Sequence, residues 1–120
     1  MRVLFTMKKC FEIEVSEDAE EFLEGMEEKA KLKFAKVFLK VKEGLSKEED
    51  FKKLKDSDGI FEFRVRDNKV FYRILAFMAK YEGDDFTTII CTHGFLKTTD
   101  NTPKSEIQKA KKIKKTYLED

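Results

Sequence analysis

An α+β fold is predicted for this chain by three observations. Apolar residues recur at helical spacing from Ala19 to Val41. Three strand-like runs then follow, Ile60 to Arg66, Val70 to Ala79 and Phe86 to His93, separated by short polar turns. A last apolar stripe, set among lysines, closes the sequence. Periods of 3.6 and 2 residues mark surfaces that bury one face each, so the runs imply helices laid on an antiparallel sheet. With 120 residues and 41% apolar content, the chain is predicted to be one domain, residues 1–120, with its own core.

The elements follow in order. Cys10-Phe-Glu-Ile-Glu-Val15 alternates apolar and charged residues, as a strand with one covered face does. Ser16 is placed to cap a helix, with Glu17 and Asp18 at its positive end. Ala19, Phe22, Leu23, Met26 and Ala30 form a first stripe, and Phe34, Val37, Phe38 and Val41 a second that stops at Gly44. Gly25 and the polar stretch after it favour two helices over one bent one. Leu45 to Ser57 is polar and reads as a loop or a short helical turn leading into Asp58-Gly59. Asp67-Asn-Lys69 and Glu82-Gly-Asp-Asp85 carry the turn chemistry between the three strands of the meander. Thr102 then caps a final helix, Pro103 suits its first position, and Ile107, Ala110, Ile113 and Tyr117 supply its stripe.

Twelve Phe and no Trp predict a phenylalanine core, large in buried area and free of polar handles. Charge nearly cancels, 25 basic residues against 24 acidic, but it is unevenly spread. Every ionisable side chain from Glu12 to Glu28 is acidic, whereas Lys104, Lys109, Lys111, Lys112, Lys114 and Lys115 crowd the end of the chain. Two isolated cysteines without CxxC spacing argue against a zinc site and for a reducing compartment. The opening apolar run is too short for a signal peptide and no stretch reaches membrane-spanning length, so a soluble cytoplasmic protein is expected. No dinucleotide loop, P-loop, HExxH or paired-carboxylate spacing is present, and no metal or cofactor is expected.

The chemistry-bearing residues are cations on strands. Arg64, Arg66 and Arg73 repel one another unless an anion is offered to them. If Asp67 pairs with Val70 around a two-residue turn, Arg64 falls opposite Arg73 and the arginines share a face. Phe61, Phe63 and Val65, with Tyr72, Ile74 and Met78, then form the core face under the helices. A three-residue loop would reverse that parity and bury an arginine. The bland alternative pairs the arginines with Glu62 or with acids of the early helix. Thr92-His-Gly-Phe-Leu-Lys-Thr98 ends the last strand with the chain's single histidine and a lysine. His93 is either an acid–base group near neutral pH or a local hydrogen-bonding residue, and Lys97 either a phosphate contact or a solvated lysine. The lysines of the last helix read as its wet face, with a field that still attracts RNA. Cys91, alternating with Ile89, reads as a small buried residue.

The ordered set of motifs resembles one family. Ser16 to Leu45 as a helical pair, Lys52-Lys-Leu-Lys55, Gly59-Ile-Phe-Glu-Phe-Arg64, Tyr72-Arg-Ile74, His93-Gly-Phe-Leu-Lys97 and Thr102-Pro103 before Glu106-Ile107 and Ala110 together resemble the HigB-type, phage-derived branch of the RelE toxin superfamily. The resemblance spans nearly the whole chain from Cys10 onward. It implies a small antiparallel sheet flanked by helices, and a toxin of a type II toxin–antitoxin pair that enters the ribosomal A site and cuts mRNA without a metal. Its implied partners are the ribosome, mRNA and a helix-turn-helix, HigA-like antitoxin. By that resemblance Arg73 grips the scissile phosphate, Arg64 and Arg66 lie beside it, Lys97 closes the site and His93 is the candidate acid or base. Arg66, Lys55, Lys104 and Lys111 are the further candidate RNA contacts. The sequence departs from the family where relatives carry a tyrosine on the terminal helix, here Ile107 with Tyr117 far downstream, and where Thr98 replaces a common second lysine. Those departures leave a second expectation, a non-catalytic module that binds RNA or a partner through the same basic face.

Overall fold

A computed structural model describes residues 11–119; Cys10, at the start of the first predicted strand, lies outside them. The elements run β1 (Phe11–Val15), α1 (Glu17–Glu24), α2 (Glu28–Lys42), β2 (Phe51–Lys53), β3 (Ile60–Asp67), β4 (Val70–Ala79), β5 (Thr87–Leu96) and α3 (Lys104–Glu119). They build an α+β fold around one five-stranded sheet of order β1-β5-β4-β3-β2. β2 to β5 pair antiparallel, while β1 adds to β5 in parallel. No helix among the described residues is long and apolar enough to cross a membrane.

Local chemistry accounts for most boundaries. The Ser16 hydroxyl accepts from the Ala19 N–H at 3.1 Å and caps α1, which ends at Gly25 before α2 begins. Gly44, with φ +73°, ends the α2 segment in a conformation that glycine adopts without strain. Asn68 and Lys69 both have positive φ, the geometry of a two-residue turn whose twist matches the flanking strands, and Asp67 pairs with Val70 around it. One segment differs from expectation. Phe51–Lys53, within the stretch read as a loop or helical turn, is a short edge strand paired to β3, with the Phe51 ring 4.4 Å from that of Phe63. Tertiary pairing there overrides a lysine-rich local sequence.

Each face of the sheet packs differently. α1 and α2 cover one side, where Ala19, Ala30, Phe34 and Val41 meet Phe63, Ile74, Ala76 and Cys91. Phe34, Phe63 and Phe77 are fully buried, and each such ring contributes about 1.5–3 kcal/mol. On the opposite side α3 lays Ala110 over Ile60, Leu75, Phe77 and Ile90. α3 covers that end of the face and leaves the rows through Arg64 and Arg66 open.

A β-bulge sets what the open face presents. Between Leu75 and Ala76 the pairing of β4 with β5 shifts, from Leu75 opposite His93 to Ala76 opposite Cys91, so Thr92 is the extra residue. Strict alternation would put His93 on the same side as Cys91. The bulge instead turns it to the side of Glu62 and Leu75. The Thr92 carbonyl, freed from the ladder, accepts from the Ser16 hydroxyl at 2.7 Å. Past the bulge Gly94 faces the α1 side, where the Phe22 ring leaves no room for a Cβ: an added carbon would lie 2.0 Å from Phe22 Cδ2.

Candidate functional site

The hairpin register brings the predicted arginines together. Arg64 lies opposite Arg73, with Phe95 completing the row on β5, and Arg66 lies opposite Phe71 one row on. Glu62, two residues before Arg64, shares their face and is fully buried. One carboxylate therefore serves two guanidiniums. Its Oε1 accepts from Arg64 Nε at 2.8 Å and sits 3.5 Å from Arg73 Nε, while Oε2 accepts from the Thr102 hydroxyl. Thr102, expected to cap α3, spends its hydroxyl on Glu62, and the Pro103 carbonyl takes the first helical hydrogen bonds. The pairing of arginine with Glu62 is thus realised for Arg64 as a hydrogen-bonded ion pair and for Arg73 as a longer one.

Arg73 is less well provided for. It is only 7% exposed, and its Nη1 donates to the Tyr72 carbonyl at 3.0 Å. Its Nε is buried without a hydrogen-bond partner among the described residues. Burial pulls its pKa down, Glu62 opposes that, and Arg64 reinforces it. Arg73 therefore contributes its positive charge from beneath the surface, held by a carboxylate that it shares with Arg64.

In front of this pair is a cleft of about 220 Å³ lined by Lys52, Lys55, Arg64, Lys97, Asp100 and Thr102, among others. Its ionised lining is four cations against one carboxylate. Lys97 is half-buried, and its pKa is lowered by desolvation first and by Arg73 next. A second cavity of about 530 Å³, lined by Phe71, Lys97, Thr98, Thr99 and Asp100, shares Lys97 and Asp100 with the first. The two cavities adjoin at these residues.

The remaining predicted residues are placed elsewhere. Arg66 is exposed, with its guanidinium 5.1 Å from the centre of the Phe71 ring. Lys104 is exposed at the start of α3 and Lys111 half-buried further along it, and neither lines the cleft. His93 is 2% exposed and lies under α3 rather than in the cleft. Its Nδ1 is 3.0 Å from the Thr92 hydroxyl and its Nε2 3.3 Å from Glu106 Oε1. The neutral tautomer with the proton on Nε2 makes both ring contacts when the single Thr92 hydroxyl proton is turned to Nδ1 rather than to the Leu75 carbonyl, which lies 3.2 Å from the same hydroxyl. Desolvation, then Lys109, lowers its pKa against the pull of Glu106. Of its two readings, this geometry is that of a local hydrogen-bonding residue joining α3 to the sheet. Cys91 is wholly buried, and burial pushes its thiol up to about 12. Glu62 was among the partners the sequence offered the arginines, and the alternation Glu62, Arg64, Arg66 was the signal for it. Two site residues escaped the reading of the sequence, Thr102 as the partner of Glu62 and Phe71 as an exposed ring.

Residues 21–115 match the family described as phage-derived protein Gp49-like (DUF891). The chain belongs to that family. Its fold is similar to that of an arginine-to-alanine double mutant of the E. coli toxin RelE, solved in the free state, with a TM-score of 0.57 and 16% sequence identity. The similarity covers 88% of this chain and 97% of that one. No curated protein matches in sequence. The chain is thus a Gp49-like protein with a RelE-like fold, the fold that the resemblance read from its motifs implies.

Proposed function

We propose that this Gp49-like protein is the toxin of a type II toxin–antitoxin pair, a cytoplasmic endoribonuclease that cuts mRNA in the ribosomal A site without a metal and is restrained by a helix-turn-helix antitoxin. The observation that carries the reading is the open cationic cleft lined by Lys52, Lys55, Arg64 and Lys97, with the buried Arg73 close enough to Lys97 to lower its pKa. RNA scission of this kind joins the 2′-oxygen to the adjacent phosphorus and breaks its bond to the 5′-oxygen. It leaves a 2′,3′-cyclic phosphate and a 5′-hydroxyl. Arg64 meets the phosphate in the cleft, and Arg73 adds positive charge from beneath as the phosphorane forms. Lys97, its ammonium made more acidic by burial and by Arg73, donates the proton to the departing 5′-oxygen. With His93 under α3, the 2′-hydroxyl proton passes to solvent or to a group of the ribosome.

Induction in a bacterial host tests the reading. It should arrest growth and produce message breaks that map by primer extension, and Arg73→Ala should relieve both while the protein stays folded. Normal growth with intact messages would refute it. The burial of His93 and the Arg64–Glu62 ion pair favour one other reading, a non-catalytic RNA-binding module. Such a module would bind RNA with a steep salt dependence and leave it uncut on translating ribosomes.

A further inference from the structure

The open end of the sheet face carries an aromatic ring that the phosphate chemistry does not use. Phe71 is 38% exposed although it belongs to a central strand, where large apolar side chains are ordinarily covered. Two guanidiniums attend the ring, Arg66 at 5.1 Å and Arg73 at 5.7 Å from its centre. The Phe71 carbonyl accepts from the Lys97 N–H at 2.8 Å, which fixes the ring's backbone to the strand end that carries the cleft lysine. Its cavity, about 530 Å³, holds a further carboxylate, Asp100, and the Thr98 hydroxyl. The Thr99 hydroxyl is already spent on the Asn101 carbonyl at 2.7 Å.

We infer that Phe71 is a stacking platform for the nucleobase next to the bound phosphate, and that Asp100 reads the edge of that base. This rests on the proposal that the neighbouring cleft takes RNA. Single-stranded RNA is recognised by stacking unpaired bases on aromatic and guanidinium planes and by hydrogen bonds to their Watson–Crick edges. Phe71 and the exposed Arg66 supply planes of both kinds. Asp100 offers acceptors only, so it selects an edge that presents donors. Guanine presents two adjacent donors, N1–H and N2–H, to the two carboxylate oxygens. Adenine and cytosine present one amino group beside an acceptor, and uracil a single donor between two acceptors. The selected base is therefore guanine, and uracil is the poorest.

The test uses the full chain and fluorescently labelled RNA triplets made uncleavable by 2′-O-methylation, one for each base at the variable position, with an abasic triplet as the phosphate-only probe. Phe71→Leu should weaken binding of the guanine triplet by about tenfold or more, leave the abasic triplet unaffected and keep the salt dependence. Phe71→Tyr, which keeps the ring, should restore wild-type affinity. Asp100→Asn should bring the guanine and uracil triplets to within about threefold of each other. If the abasic triplet binds but Phe71→Leu holds the guanine triplet as tightly as wild type, the stacking platform is refuted while the phosphate cleft stands. If wild-type protein binds neither triplet, the RNA reading of the cleft falls and the platform with it.

Discussion

Replacing Glu62 by glutamine removes one negative charge and almost nothing else. The side chain is fully buried, and its volume is kept. The amide oxygen can still accept from Arg64 Nε, and the amide N–H can donate to the Thr102 hydroxyl, so both contacts survive, the second with donor and acceptor exchanged. What is lost is the charge that balances Arg64 and Arg73. Removing one partner of a buried ion pair costs about 3–5 kcal/mol, because the other charge stays behind without compensation. Arg73 is in that position, with 8% of its side chain exposed, whereas Arg64, at 27%, turns outward and regains water. Water reaching Arg64 brings the cost below that range, to about 2–3 kcal/mol. For a domain of this length that is roughly an 8–12 °C fall in melting temperature. Thermal unfolding followed by circular dichroism measures it. Inorganic phosphate should stabilise the variant more than the wild type, since it enters a site with two unbalanced guanidiniums. A melting temperature within about 2 °C of wild type would refute the account of Glu62 as the counter-ion on which both arginines depend.

Other positions give independent checks. Gly94→Ala forces a carbon against the Phe22 ring at 2.0 Å and should destabilise by about 1–3 kcal/mol, with Phe22→Leu recovering part of the loss in a double-mutant cycle; additive effects would exclude the clash. The pKa of His93 is lowered in the folded chain, so the unfolded chain takes up the proton first as pH falls. Stability should be complete above about pH 6.5 and decline below it, by at most about 1.4 kcal/mol per pH unit, and His93→Gln should flatten that slope in melting curves. In a Cys10→Ser background, a thiol reagent at neutral pH should label Cys91 only at the rate of unfolding; immediate labelling would show that the strand opens locally.

Much of the fold and part of the site were legible in the residues themselves. The sequence set Arg64 opposite Arg73 on the condition of a two-residue turn, and Asn68-Lys69 meets that condition, dividing the meander into a core face and a cationic face. Ser16, Gly25 and Gly44 marked the helix limits because capping and left-handed conformations have local chemical signatures. Features created only by pairing left no such mark. β2 is a strand because Phe51 finds Phe63, not because Lys52 and Lys53 favour one. The parallel seat of β1 beside β5 is a long-range choice, and the bulge at Thr92, which turns His93 under α3, has no composition of its own. The depth of Arg73 was hidden for a related reason. A central strand is covered by its neighbours' side chains, and Phe95 and Arg64 flank it in the row.

The carboxylate shared by Arg64 and Arg73 bears on how the protein behaves among the soluble metabolites of a living cell. A lone phosphate or a free nucleotide must compete with a counter-ion that is covalently part of the chain and always at hand. A polymer arrives with several charges and a ring-shaped base at once, so its many weak attachments act together against that single internal competitor. On the proposal that the cleft takes RNA, the buried acid would set a threshold that favours a long chain over a single phosphate.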